Sequence, residues 1–202
     1  MASMSPSEST PITTGQIAKF LDLLTAGLRK SGLQSEPTQQ VLETQADALV
    51  TEFVGSVRKR VDAISDMIVR RVRPRRTHTL EAVLNQTGRQ QYVNKDVLKT
   101  MPRGEGEEVD VFFFQLKRYA SPQEVAEAYA IRGLKPDPVA QARVNEDDPA
   151  FADERPNASQ WQDSEGRWCY ATFRRWGDER LVCVHRSDDD WDVYWFFGGV
   201  RK

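Results

Sequence analysis

Cysteine and histidine are scarce, two of each among 202 residues. So few thiols exclude a disulfide-stapled scaffold, and so few imidazoles argue against a His-rich metal site. No stretch approaches the roughly 18 uninterrupted apolar residues that span a bilayer, so no membrane partner is expected. The opening MASMSPSESTPITTG has neither the basic nor the apolar region of a secretory signal, which predicts a cytoplasmic protein. Tryptophan is missing from the first three quarters of the chain: all five residues lie between Trp161 and Trp195.

What is present is a chain of ordinary globular composition, 39% hydrophobic and 29% charged, long enough for one compact domain plus an extra element. The net charge of -2 hides an asymmetry. Residues 1–57 carry six acids and three bases, 58–100 four acids and eleven bases, and 101–202 twenty acids and fourteen bases. A basic island therefore separates two acidic regions.

Residues 1–14 are rich in Ser, Thr and Pro and cannot bury enough apolar surface to offset chain entropy, which predicts a disordered tail. Ile17, Phe20, Leu21, Leu24 and Leu28 then recur at steps of three and four, predicting an amphipathic helix that Gly32 stops. A second helical pattern starts near Ser35 and Pro37 and meets no proline until Pro74, about 55 Å at 1.5 Å per residue. Its stripe is Leu42, Ala46, Leu49, Phe53, Val57, Val61, Ile64, Ile68 and Val72, with eleven-residue recurrences that imply a nearly straight seam. Residues 15–74 thus read as an antiparallel helical hairpin, a coiled-coil-like arm with one long helix. The second half of the stripe has no partner of its own. It either makes a homo-oligomer through the long helix or lies on the rest of the chain.

Residues 77–202 read as a compact α+β domain. Thr77 to Thr79 offer a cap for a short helix over 80–84, and VDVFFFQL at 109–116 predicts a buried central strand. Ser121, Pro122 and Glu124 form a capping box with proline at the first helical position, for a helix that Gly133 ends. Asp137-Pro138 starts another short helix to Asn145, and Asp148-Pro149 a single turn. Residues 167–174 and 180–186 predict a hairpin with a loop of about four or five residues, and Trp191 to Phe197 a last strand. The result is a Trp-rich antiparallel sheet, with Trp168, Trp191 and Trp195 filling its core.

Two surfaces stand out as binding candidates. Trp176 sits at the hairpin tip beside Gly177, where a large exposed ring is costly unless it contacts something. Together with Arg174, Arg175, Tyr194 and Asp190 of the acidic turn it forms the candidate ligand-binding surface, for a small ligand or a protein partner. Arg70, Arg71, Arg73, Arg75 and Arg76 form the alternative, a phosphate-neutralising cluster for nucleic acid, although arginines so placed also serve as a solvated face or as partners for the acidic domain. Asp188, Asp189, Asp190 and Asp192 lack the alternating spacing of a calcium loop and read as a charged turn. Cys169 and Cys183 occupy the two hairpin arms, and centring the loop on Gly177 and Asp178 sets Cys183 against Thr172 and Cys169 against Arg186, leaving free thiols. His185 shares the strand face of Cys183 but no acid at a defined spacing completes a catalytic set. No catalytic residues, no metal and no cofactor are expected, and the chain reads as a non-enzymatic binding protein.

The run from THTLEAVL at 77 through IRGLKPDP, VNEDDPAFADERPN and GRWCYATFRRWGDER to the closing WFFGGVRK resembles a group of uncharacterised proteins from reduced genomes of uncultivated bacteria. That resemblance implies no activity. The order of strand, capped helix, short helix and Trp-rich short strands also resembles a C-type lectin-like domain, the fold shared with formylglycine-generating enzymes. It implies a stable frame carrying variable ligand-binding loops.

Overall fold

The computed structural model describes residues 12–202, and the tail expected over residues 1–14 lies outside them up to residue 11. The chain divides into two units, one reaching Gly55 and one spanning Ser56–Lys202. Among the described residues no helix is long and apolar enough to cross a membrane.

The first unit holds two helices, the second of which continues past Gly55 into the second unit. Helix α1 (Thr14–Lys30) opens on Thr13, whose side chain accepts the Gln16 backbone N–H while the Gln16 side chain accepts the Thr13 N–H at 2.8 Å. This reciprocal cap satisfies two donors that a helix start leaves orphaned. Gly32, at φ +69°, lets the chain turn into α2 (Ser35–Ser65). Phe20 of α1 meets Phe53 of α2 edge to face at 5.0 Å, the contact expected of an antiparallel pair.

Helix α2 stops short of Pro74. Residues Ile68–Val72 are instead strand β1, paired antiparallel with β3 (Val109–Gln115), Ile68 opposite Phe113 and Val72 opposite Val109. The reason lies in the spacing. Ile64, Ile68 and Val72 recur every four residues, which is one helical turn but also two strand periods, and the β-branched run Ile68-Val69 with Val72 favours the strand. The long-helix expectation is corrected accordingly, and the arginines of 70–76 fall on an edge strand and the loop after it.

The second unit is α+β, with one mixed sheet in the order β1-β3-β8-β5-β6-β7-β2 and β4 beside β8. Its strands are β2 (Gln90–Val93), β4 (Leu134–Pro136), β5 (Asn157–Gln162), β6 (Trp168–Trp176), β7 (Glu179–Arg186) and β8 (Phe196–Arg201). Two pairings, β2 with β7 and β5 with β8, are parallel, so the sheet is mixed where an antiparallel one was expected.

One sheet face is covered by α3 (Leu80–Gln86), α4 (Lys95–Leu98), α6 (Pro138–Asp147) and α7 (Phe151–Glu154), packed on Val111, Phe113, Ala171, Phe173, Val182 and Val184. The other carries α5 (Pro122–Ile131), packed on Phe114, Ala158 and Phe197. The predicted Ser121–Glu124 capping box and Pro122 open α5, and Gly133, at φ +64°, follows its end. Strand β8 passes between the layers at Gly198 and Gly199. A Cβ on Gly198 would lie 2.8 Å from the Phe113 ring, and one on Gly199 the same distance from the Tyr129 ring and the Lys135 carbonyl.

Candidate functional site

The five arginines of the nucleic-acid alternative are all engaged inside the α+β unit. Arg71 grips Asp110 with two hydrogen bonds of 2.8 and 3.1 Å, Arg73 reaches Glu108 at 3.1 Å, and Arg75 reaches Glu146 at 2.7 Å. Arg70 lays its guanidinium over the Phe151 ring at 5.0 Å. Arg76 donates to both oxygens of the fully buried Asp137 and to the carbonyls of Arg103, Glu105 and Gly106. Asp137 in turn caps α6 by accepting the Ala140 N–H at 2.9 Å. The arginines of 70–76 are thus complementary to acids of the same α+β unit.

The sequence around Trp176 folds as a tight hairpin. Strands β6 and β7 run to Trp176 and from Glu179, leaving a loop of Gly177 and Asp178 in place of the longer one expected. Gly177 has φ +59°, which a two-residue turn with glycine first requires. The anticipated register holds: Thr172 faces Cys183, Cys169 faces Arg186, and both thiols are free. Trp176 is 69% exposed, and the Arg174 guanidinium rests 5.1 Å over its ring.

Strand alternation divides the expected cluster. Arg174 and Trp176 share one face of β6, whereas Arg175 points to the other, where it donates to the Gly177 carbonyl at 3.0 Å and faces Asp153 and Asp178. Residues 191–195 are not the start of the last strand. They form a turn, Trp195 N–H to Asp192 carbonyl at 3.4 Å, and β8 begins at Phe196. Trp191 is held there by paired backbone hydrogen bonds with Ala120, 2.8 and 3.1 Å, and by its indole N–H donating to Gln160 at 2.7 Å. Trp161 and Trp195 are buried, Trp191 packs against the core around Phe197, and Trp168 is half-buried.

On the Arg174 face of β6 and β7 this turn borders an open recess of about 180 Å³. Its floor is Tyr170, Thr172 and Cys183, its walls are Trp191 and Trp195, and Arg174, Ser187, Asp189 and Asp190 complete the lining. Tyr194 lies just outside, its ring 5.4 Å from Trp195. Of the five candidate residues, Arg174 and Asp190 line the recess, Trp176 and Tyr194 flank it through their neighbours, and Arg175 lies on the opposite face. Burial pushes both the Tyr170 phenol and the Cys183 thiol up, with the Arg174 charge opposing in each case, so Cys183 stays a thiol near neutral pH. His185 stands opposite Tyr170 in the register, ring centroids 6.4 Å apart. Sequence reasoning missed Tyr170, Thr172 and Cys183 as lining residues, although the period of two from Arg174 places the first two on its face.

The motif residues outside the recess are structural. In VNEDDPAFADERPN, Asn145 and Asn157 form a buried amide network with Gln141: Gln141 donates to the Asn157 side-chain oxygen at 2.6 Å, and Asn145 donates to the same oxygen at 2.9 Å. Asp163 closes the turn from β5 to β6. Burial alone would raise its carboxyl, but hydrogen bonds from the Arg167 backbone, the Arg186 and Arg167 side chains and the Glu165 backbone outweigh it and bring the pKa to about 2, from an ordinary 3.8. A depressed carboxyl stabilises the fold above its unfolded pKa and loses that contribution as pH falls through the folded one. The denaturant midpoints of the native chain and of Asp163→Asn should therefore differ above pH 4 and converge toward pH 2. A gap that stays constant over this window would show that Asp163 is not held as described.

Among the described residues, no group of three or more His, Cys, Asp or Glu side chains is arranged to hold a metal ion. No protein-family model, no curated protein and no solved structure matches the chain.

Proposed function

We propose that this chain is a cytoplasmic, non-enzymatic binding protein whose helical arm joins copies of itself and whose α+β domain offers the β6–β7 recess to a ligand. The observation that carries this reading is the exposure of the arm. No residue of α1 is buried, and Ile17, Phe20, Leu21, Leu24 and Leu28 are all exposed along one stripe. On α2 the same holds for Leu42, Leu49, Phe53, Val61 and Ile64. A helix of 17 residues is marginal in water by itself, and burying each such side chain contributes about 1.5–3 kcal/mol. The surface that supplies this burial is a second copy of the hairpin, because identical stripes are self-complementary about a two-fold axis.

The arginines support the same reading. Arg71, Arg73, Arg75 and Arg76 each have a carboxylate partner, which favours a role within the domain over contact with a phosphate backbone. Replacing Leu21 and Leu24 together by glutamate puts like charges into the seam of the assembly. Light scattering should then report the 23.1 kDa monomer, with the near-UV circular dichroism of the tryptophans unchanged. A double variant that keeps the mass of the native assembly would remove the arm from the account.

A further inference from the structure

The recess has a charge pattern that selects among ligands. Three aromatic rings form two right-angled corners: Tyr170 meets Trp191 at 5.6 Å and 77°, and Trp191 meets Trp195 at 5.4 Å and 82°. Trp191 is fixed at backbone and indole, so these corners exist before any ligand arrives. A ring face turned to such a recess attracts a cation through its quadrupole.

The acids sit beside these rings. Asp189 and Asp190 both line the recess, and Ser187 donates to Asp189 at 2.7 Å, orienting its carboxylate. Arg174 lines the same recess, its guanidinium drawn toward the hairpin turn by the Trp176 ring, while the acids follow the opposite end of β7. Among the described ion pairs neither Arg174 nor Asp190 has a partner, although every arginine from Arg71 to Arg76 in the basic island has one. Charges of both signs left unpaired in one small aromatic recess are complementary to a molecule that carries both.

We infer that the recess takes a small zwitterion, its ammonium group, primary or methylated, against Tyr170, Trp191 and Trp195 beside Asp189 and Asp190, and its carboxylate toward Arg174. This rests on the recess being a ligand site, the reading proposed above. The volume of about 180 Å³ suits a compact ion, being below the 300 Å³ or so at which pockets for drug-sized ligands begin. Specificity comes from the two ends together: the rings and acids hold the cationic head, and the guanidinium supplies the paired hydrogen bonds that a carboxylate accepts.

The test uses the full chain with its tryptophan indoles labelled by nitrogen-15, titrated with γ-butyrobetaine, with tetramethylammonium, and with the carbon isostere of the betaine in which a tert-butyl group replaces the trimethylammonium. The betaine should move the indole signals of Trp191 and Trp195 and leave that of Trp161, which is buried on the other sheet face, in place. The isostere should bind at least about tenfold more weakly. Asp190→Asn should weaken the betaine and tetramethylammonium alike, whereas Arg174→Met should weaken the betaine alone. Equal binding of the isostere, or an Arg174→Met variant with undiminished betaine affinity, would overturn the zwitterion assignment. Phenol, a neutral aromatic probe, separates the two levels. If phenol moves the Trp191 and Trp195 signals and the charged probes do not, the recess stands as a site and the ligand class is wrong; if none of them moves these signals, both are wrong.

Discussion

Replacing Arg76 by alanine should lower the melting temperature by on the order of 10 °C. Arg76 is the tie between the strand-β1 loop, the 103–106 loop and α6. Its guanidinium donates to Asp137 at 2.8 and 3.2 Å, and to the Glu105 and Gly106 carbonyls, each at 2.8 Å. Asp137 is 0% exposed, so removing its partner leaves a carboxylate with no solvent and no counter-charge. Breaking a buried pair from one side costs about 3–5 kcal/mol, far more than an exposed pair such as Arg73–Glu108 contributes. Arg73→Ala is the internal control and should change the melting temperature little. The loop geometry leads to the same outcome by another route: Gly104, at φ +65°, passes so close to the Asp137 carboxylate that a Cβ there would collide with it. Equal melting temperatures for Arg76→Ala and Arg73→Ala would mean that Arg76 is not the tie described.

Gly199→Ala should destabilise the domain by about 1–3 kcal/mol, read as a lower urea midpoint with an unchanged slope. At this position β8 lies between β3 and β4, with Tyr129 of α5 pressed onto it; the Tyr129 hydroxyl donates to the neighbouring Gly198 carbonyl at 2.8 Å. An added Cβ meets the ring and the Lys135 carbonyl, each at 2.8 Å. The carbonyl is backbone in a paired strand and cannot swing away, so the strain falls on the sheet register. Gly198→Ala meets only the Phe113 ring and should cost less. An unchanged midpoint for Gly199→Ala would show that the layers there are looser than the contacts imply.

Local chemistry made much of the fold legible. The capping box at Ser121 and Glu124, the prolines at Pro122 and Pro138, and the glycine stops at Gly32 and Gly133 each act within one turn of the chain, and each marks an observed helix end. The hairpin register followed from centring the turn on Gly177 and Asp178. Segments stabilised by distant partners were not legible. Strand β5, Asn-Ala-Ser-Gln-Trp-Gln, has five of six residues buried and yet reads as polar. Its polar groups are satisfied from far along the chain, Asn157 by Gln141 and Asn145, Ser159 by the Gly198 carbonyl, and Gln160 by the Pro122 carbonyl and the Trp191 indole. Strand β1 was hidden differently, because a four-residue spacing satisfies a helix and a strand equally.

The candidate site was legible in part for similar reasons. An exposed Trp176 and a neighbouring Arg174 could be read from a turn signal and side-chain chemistry. The recess itself depends on the 187–195 turn folding back over β6 and β7, which is fixed by the Trp191 hydrogen bonds to Ala120 and Gln160, many residues away in sequence. Arg174 and Arg175 adjoin in sequence, but a pleated strand sends adjacent side chains to opposite faces, so only Arg174 reaches the recess.

Sedimentation of the chain over a wide dilution series decides whether the arm joins copies of the protein. An arm that joins copies of the protein predicts a mass that is a whole multiple of 23.1 kDa at high concentration and that falls toward 23.1 kDa on dilution. A single species of 23.1 kDa at every concentration would contradict it, leaving the exposed stripes of α1 and α2 without the partner assigned to them.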